Sequence, residues 1–568
     1  MICSVCQASI QQAASNVHSE SVQRQPIEHH YTLNTFKRSL DEGCGVMSAK
    51  LGRREEAATF LFSFSTPHKH QSRSQLTVGP NLFWKHPQLA ESRIYFHPPR
   101  ELDPCTGSLA TIALAKRWVT DCVANHDSCK TKDGWYPTRL LEIGQRGSSE
   151  QSVRLIETNV TSLTGNYMTL THRWGSADQL TLTVSSYPRM LEGIPVALLP
   201  PLFRDVIFVT QELGVHHIWI DSLCIIQDQH DAEDWHREAS LMHNVYSNSF
   251  CNISATDAGD CTESIFHIRD PSAIVPQRVK IMPGNGGGES ETKFFSLHYK
   301  ESWVSEVSSA PVNKRGWAFQ ERFSAPRILQ FGRRQLLWEC FEKDAAEVYP
   351  DGLPLSLRKV NSDRFKCLDP EAIWADSTLQ YGRLKPGSGE YMIWSRIVNR
   401  YATCQLTFPR DKLIAISGLA KRVASILQDN YVAGMWRRNL ENELLWAAAD
   451  ARQTSRPTEY RAPTWSWTSV DGDIHPGTPR LEPPLIQVED CQLTYETPDT
   501  TGGVTGGWLR LKGAVRGMKL VRQTATAFEH KEDCWDMVIE GVNISIFHSF
   551  GRQIEPRVML DVFQHDFA

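Results

Sequence analysis

The chain of 568 residues contains no run of ~18 apolar residues, so no membrane-spanning helix is expected. Its first residues, MICSVCQASIQQAAS, lack the basic stretch and apolar core of a secretory leader. Its last, DVFQHDFA, hold no lipidation box. There is no basic excess: 60 Lys and Arg stand against 65 Asp and Glu, for a net charge of −5. That balance argues against a nucleic-acid partner. A glycine-rich phosphate loop is also missing, because Gly284-x-Gly-Gly-Gly is neither preceded by a strand nor followed by a helix. No G-x-S-x-G nucleophile motif and no internal repeat occur. A cytoplasmic location is therefore expected, and there thiols stay reduced or bind metal.

What is present is unusual in two residue types, 17 Trp and 14 Cys. With 41% hydrophobic and 22% charged residues, the chain has material for real cores. Residues 108–129 read as a helix, with Leu109, Ile112, Leu114, Trp118 and Cys122 at helical spacing. Pro137-Thr-Arg-Leu-Leu-Glu-Ile opens a strand, and Tyr167 to His172 is another. Pro200 and Pro201 start a helix whose stripe is Leu202, Val206, Val209 and Leu213. His217 to Ile226 reads as one apolar strand interrupted by Asp221 and Ser222. A helix with Trp235, Ala239, Met242 and Tyr246 on one face follows, then a strand from Phe250 to Thr256. Strand and helix in alternation predict an α/β core with a parallel sheet and flanking helices. Residues 390–450 read as helical, and the chain from Pro463 onward as β-rich, including Thr464 to Thr468.

Several blocks in this order resemble the fungal heterokaryon-incompatibility (HET) family. They are Tyr167-Met-Thr-Leu-Thr-His-Arg-Trp-Gly, Leu199-Pro-Pro-Leu-Phe-Arg-Asp-Val-Ile and His217-Ile-Trp-Ile-Asp-Ser-Leu-Cys-Ile-Ile-Gln-Asp. Asp234-Trp, Glu238, Met242, Tyr246 and Ile253-Ser-Ala-Thr follow. Arg315-Gly-Trp-Ala-Phe-Gln-Glu, Leu337-Trp-Glu-Cys, Asp411 to Ala420 and Ala462-Pro-Thr-Trp-Ser-Trp complete the series. One position departs from the family: Arg173 stands where a small residue or Cys is usual. The resemblance implies a TIR-like, flavodoxin-like core, with α+β extensions and a β-rich C-terminal part. It divides the chain into a Cys/His-bearing region (1–150), the α/β core (151–345), a helical region (346–475) and a β-rich region (476–568). It also implies a role in non-self recognition and incompatibility cell death, through regulated assembly or protein partners. Two alternatives are a TIR-like enzyme that hydrolyses NAD and an accessory protein of a fungal secondary-metabolite pathway.

Ligands of open α/β sheets bind at the C-terminal strand ends. That places a pocket at His172, Arg173, Trp174 and Gly175, with Asp221, Ser222, Leu223, Cys224, Gln227 and Asp228. Arg204 and Asp205, on the Leu-Pro-Pro helix, join the candidate binding set. Alternatively Asp221 caps a loop or pairs with Arg204. If NAD is the substrate, Asp221 or Glu238 would stabilise an oxocarbenium-like transition state; Glu263 is a further candidate, and a solvated, ion-paired Glu238 the plainer reading. The Arg315–Glu321 and Trp465-Ser-Trp467 blocks read as core packed by large rings. Metal ligands are available in two groups, Cys3, Cys6, His30 and Cys44, and then Cys122, His126 and Cys129 at i, i+4 and i+7 on one helical face. These are the types Zn²⁺ takes. Buried thiols are the alternative, and Met47 stands where the family has a further Cys.

Overall fold

The computed structural model describes residues 102–513, apart from 132–133, 145–150, 176–179, 229–231, 282–292, 300–301, 451–452, 480–482 and 355–387 other than Leu357 and Lys366. Of strands 62–65, 75–78, 82–85, 277–281, 293–299, 518–522, 535–539 and 542–545 it describes the backbone alone. The first five of these form one antiparallel sheet and the last three another.

The central sheet has nine strands. They are β1 (Arg139–Ile143), β2 (Ser152–Glu157), β3 (Tyr167–Thr171), β4 (Ile194–Pro195), β5 (His217–Trp219), β6 (Cys251–Ser254), β7 (Arg327–Phe331), β8 (Leu336–Cys340) and β9 (Asp344–Ala346). Their spatial order is β9-β8-β7-β6-β3-β5-β1-β2-β4. The four central strands, β7, β6, β3 and β5, run parallel. Every outer pairing is antiparallel. The expected parallel sheet is present in these four strands, and the sheet as a whole is mixed. The reason is connection length: β1 to β2 and β7 to β8 are joined by short loops, which permit only antiparallel pairing. The central strands are linked through helices.

Those helices are α1 (Leu109–Asn125), α2 (Tyr187–Glu192), α3 (Pro201–Glu212), the single turn α4 (Asp221–Cys224), α5 (Ala232–Ser247) and α6 (Gly316–Ser324). Ser108 caps α1, its hydroxyl accepting from Thr111 N–H. Pro201 occupies the first position of α3, and Gly214 follows its end with φ +74°. The expected strand over 217–226 shrinks to three residues, because the chain turns helical at Asp221. A carboxylate has no place in a buried ladder, and here Asp221 Oδ1 accepts the Ser222 N–H at 2.8 Å.

A second core follows, built on α7 (Gly389–Ala402) and α8 (Ile414–Leu427). Trp394, Trp436, Trp465 and Trp467 are buried in it. The indoles of Trp394 and Trp467 both donate to Gly434 O at 2.8 Å. Trp465 to Trp467 is not a strand as expected; Trp467–Ser469 is a 3₁₀ turn capped by the Ser466 hydroxyl. The hairpin β10 (Ile486–Tyr495) and β11 (Val504–Gly513) supplies the β-rich end. Among the described residues no helix is long and apolar enough to cross a membrane.

The two cores meet where α8 crosses α5. A Cβ on Gly418 would lie 2.3 Å from His243 Cβ. Helix propensity alone favours Ala over Gly mid-helix by ~1 kcal/mol. Packing reverses that sign: Gly418→Ala is expected to destabilise by ~1–3 kcal/mol, read as a lower urea midpoint.

Candidate functional site

At the C-terminal end of β3 the chain leaves the sheet as His172-Arg173-Trp174-Gly175. Gly175 has φ +66°, and a Cβ there would meet Asp260 Cβ at 2.4 Å. Only glycine fits this turn. It delivers Trp174 beside the end of β5, where its indole N–H donates to Asp221 Oδ2 at 2.8 Å. His172 is buried, with Nδ1 3.6 Å from Asp221 Oδ1 and its ring edge-on to Phe203. The Asp221 side chain keeps 16% exposure, so this carboxylate reaches solvent.

Two residues from α6 and its N-cap close the back of this group. Arg315 donates to His172 O. Glu321 is buried, and its Oε2 accepts from the Tyr246 hydroxyl at 2.9 Å. Burial, then the negative charge of Asp221, pushes the Glu321 carboxyl up to about 7, against the opposing pull of Arg315. Two carboxyl groups thus share one end of the parallel strands, one of them ionisable near neutrality.

A second charged group lies beneath α5. Arg139 from β1 donates to both Asp234 oxygens, at 2.8 and 2.6 Å, and lies 3.7 Å from Glu238. Arg237 pairs with Asp234 and approaches Glu238 at 3.4 Å. Glu238 is 1% exposed, so it is not solvated as expected, while the expected pairing with a neighbouring arginine is present in Arg237. Burial pushes the Cys224 thiol up to about 12; Arg139 opposes this, and Asp221 and Glu238 add to it.

The other sequence candidates divide. Ser222 is buried, and its carbonyl accepts from Leu182 N–H at 2.8 Å. The Gln227 amide donates to Asp221 O and Ile225 O, and Asp228 accepts from Val184 N–H. These contacts fasten the 180–186 loop over α4. Beside that loop is a cavity of about 400 Å³, lined by Leu180, Met190, Leu199, Pro200, Cys261 and Thr262 among others. Arg204 is exposed on α3, and the bonds Asp221 makes are to Trp174 and Ser222. Asp205 turns toward Ser264 and Ile265, accepting from both. Glu263 accepts from Gly259 N–H and holds its own loop.

The Cys/His residues separate as well. Cys3, Cys6, His30 and Cys44 lie outside the described residues. Cys122, His126 and Cys129 come together, and Cys340 from β8 joins them. All four ligand atoms lie within 4.8 Å of one another, a cluster capable of coordinating a metal ion. Every described cysteine is a free thiol.

Residues 167–321 match the family model for heterokaryon incompatibility protein (HET). The HET segment runs from β3 to Glu321 in α6, about a quarter of the chain. It contains His172, Trp174, Asp221, Glu238, Arg315 and Glu321. No curated protein and no solved structure matches the chain.

Glu321, Arg315 and Tyr246 were missed as site residues by the sequence reading. The signal was there: Arg315 and Glu321 are charges inside an aromatic block that was read as core. The core reading holds for Trp465 and Trp467, while Trp317 is half-buried and donates to Asp411.

The raised Glu321 pKa fixes the sign of a pH effect. Between its ordinary value of 4.5 and about 7 the fold binds a proton that the unfolded chain does not. Its stabilising share is complete below the ordinary value and is lost as pH rises through about 7. Glu321→Gln is expected to abolish a fall of up to roughly 3 kcal/mol in unfolding free energy, seen by comparing denaturant midpoints at acidic and alkaline pH. Arg139→Ala leaves Asp234 and Glu238 buried without this partner and is expected to cost ~3–5 kcal/mol in the same assay.

Proposed function

We propose that this chain is a regulatory protein of the heterokaryon-incompatibility kind. It mediates fungal non-self recognition and triggers growth arrest or cell death, through partner binding or self-assembly of the α/β core. The observation that carries this reading is the HET match over β3 to α6, the segment that holds three of the four parallel strands. The internal bonding of the acidic groups supports a binding module. Glu238 is held between two arginines, and Asp221 accepts from Trp174 and Ser222. Such pairs fix the shape of the strand ends and leave recognition to the loops above them.

A second reading, hydrolysis of NAD, is favoured by one observation. Asp221 is partly exposed at the strand ends, and its charge adds to burial in raising the pKa of Glu321. In that reading Asp221 faces the developing positive charge on the ribose and Glu321 exchanges a proton.

Expression in a filamentous fungal host separates the two. If binding is the mechanism, growth arrest persists in Asp221→Asn and Glu238→Gln, and purified protein releases no nicotinamide from NAD. Nicotinamide release that Asp221→Asn abolishes would replace the binding reading with the hydrolytic one.

A further inference from the structure

The four-residue cluster at the end of α1 goes beyond the reading above and is independent of it. Cys122 lies in the last turn of α1, and His126 is its C-cap, with His126 N–H donating to Cys122 O at 3.0 Å. The chain then tightens into a 3₁₀ turn, Asp127–Cys129, with Cys129 N–H donating to His126 O. The change of pitch brings three donors to one side. The fourth, Cys340, is the last residue of β8 and comes from more than two hundred positions further along the chain.

We infer that Cys122, His126, Cys129 and Cys340 form a structural Zn²⁺ site that staples α1 to the β7–β8–β9 edge of the central sheet. Four observations carry this. First, the donor set is Cys₃His, a combination used by closed structural zinc sites. Second, the ligand atoms lie within 4.8 Å of one another, and His126 Nδ1 is 3.3 Å from Cys340 Sγ. A tetrahedron with Zn–S of ~2.3 Å has edges of roughly 3.8 Å, so small side-chain shifts complete it. Third, backbone N–H groups already point at sulfur: Lys343 N–H donates to Cys340 Sγ at 3.2 Å. Such outer bonds orient and stabilise thiolate ligands. Fourth, the surroundings carry the matching charge. Three thiolates and a neutral imidazole around Zn²⁺ leave one net negative charge. Arg327 is 3% exposed, acts on Cys122, and donates to the carbonyls of Cys129 and Phe250. No carboxylate pairs with Arg327 among the described residues. A buried cation needs an anion nearby, and the loaded cluster supplies it.

Thiolate donors disfavour Mg²⁺ and Ca²⁺, which take oxygen. The three cysteines are buried and the imidazole alone is half-buried, so the ion enters from the His126 side and is then enclosed. Four protein ligands leave no open position, which assigns the ion a structural role. Binding displaces the three thiol protons to solvent. The set is complete without Cys3, Cys6, His30 and Cys44.

The test uses the full chain purified under reducing conditions, with zinc measured by mass spectrometry against protein concentration. About one zinc per chain is expected. Cys340→Ser is expected to lower zinc retained after dialysis against a chelator by ~10-fold or more, while Cys251→Ser, a buried thiol outside the cluster, retains it. The double variant Cys3→Ser/Cys6→Ser also retains it. Should Cys340→Ser fail to fold, exchange of Co²⁺ into the wild-type chain gives the same answer: the visible bands of tetrahedral, thiolate-rich cobalt are expected. Chelation of the wild-type chain is expected to lower its thermal midpoint. A chain without stoichiometric metal, a disulfide within the cluster under reducing conditions, or loss of zinc in the Cys3/Cys6 variant would overturn the proposal.

Discussion

Helix α6 is buried on all sides yet carries three polar side chains in succession, Gln320, Glu321 and Arg322. Water cannot satisfy them, so each must find a partner in the protein. Gln320 accepts from Gly418 N–H on α8, Glu321 from Tyr246 on α5, and Arg322 makes two bonds to Glu339 on β8. These partners belong to three different elements. Between them, Phe319 and Phe323 enter the second core. One short helix therefore fixes where the central sheet and the helical layer sit, because any displacement would strand a buried polar group.

The same helix sets the chemistry of the strand ends. Arg315, its N-cap, reaches His172 O, and Glu321 lies beside Asp221. The HET segment ends at Glu321, so Gln320 and Glu321 lie inside the matched sequence and Arg322 follows directly after it. A group whose pKa is raised by burial and by a like charge is costly, and such cost is tolerated where the site or the architecture needs it. Here the architecture alone accounts for Arg322 and Gln320; Glu321 is buried behind the strand ends, and Asp221 keeps 16% exposure there.

Much of this was legible beforehand. Capping and periodicity marked α1, α3 and α5, and the alternation of strand and helix gave an α/β core. The ordered blocks gave the HET likeness that the match over 167–321 supports. The errors have physical causes. Apolar content extended the 217–226 strand through Asp221, because hydrophobicity does not register where a carboxylate turns back to its own next N–H. Glu238 read as solvent-facing, because its partner Arg139 lies on a strand almost a hundred residues earlier. The parallel sheet is confined to the four central strands, because hairpins flank it on both sides.

By itself the sequence determined the long helices and the central strands, which residues are apolar enough to be buried, and which family the middle of the chain is similar to. Local spacing encodes these properties, since 3.6-residue and two-residue periods and end caps act within a few residues. Only the tertiary structure decided which charges meet and which thiols gather. Cys340 has no spacing relation to Cys122, and Glu321 none to Asp221. Long-range pairing is set by how layers stack and by the requirement that every buried polar group find a partner, and neither is written in any single stretch of chain.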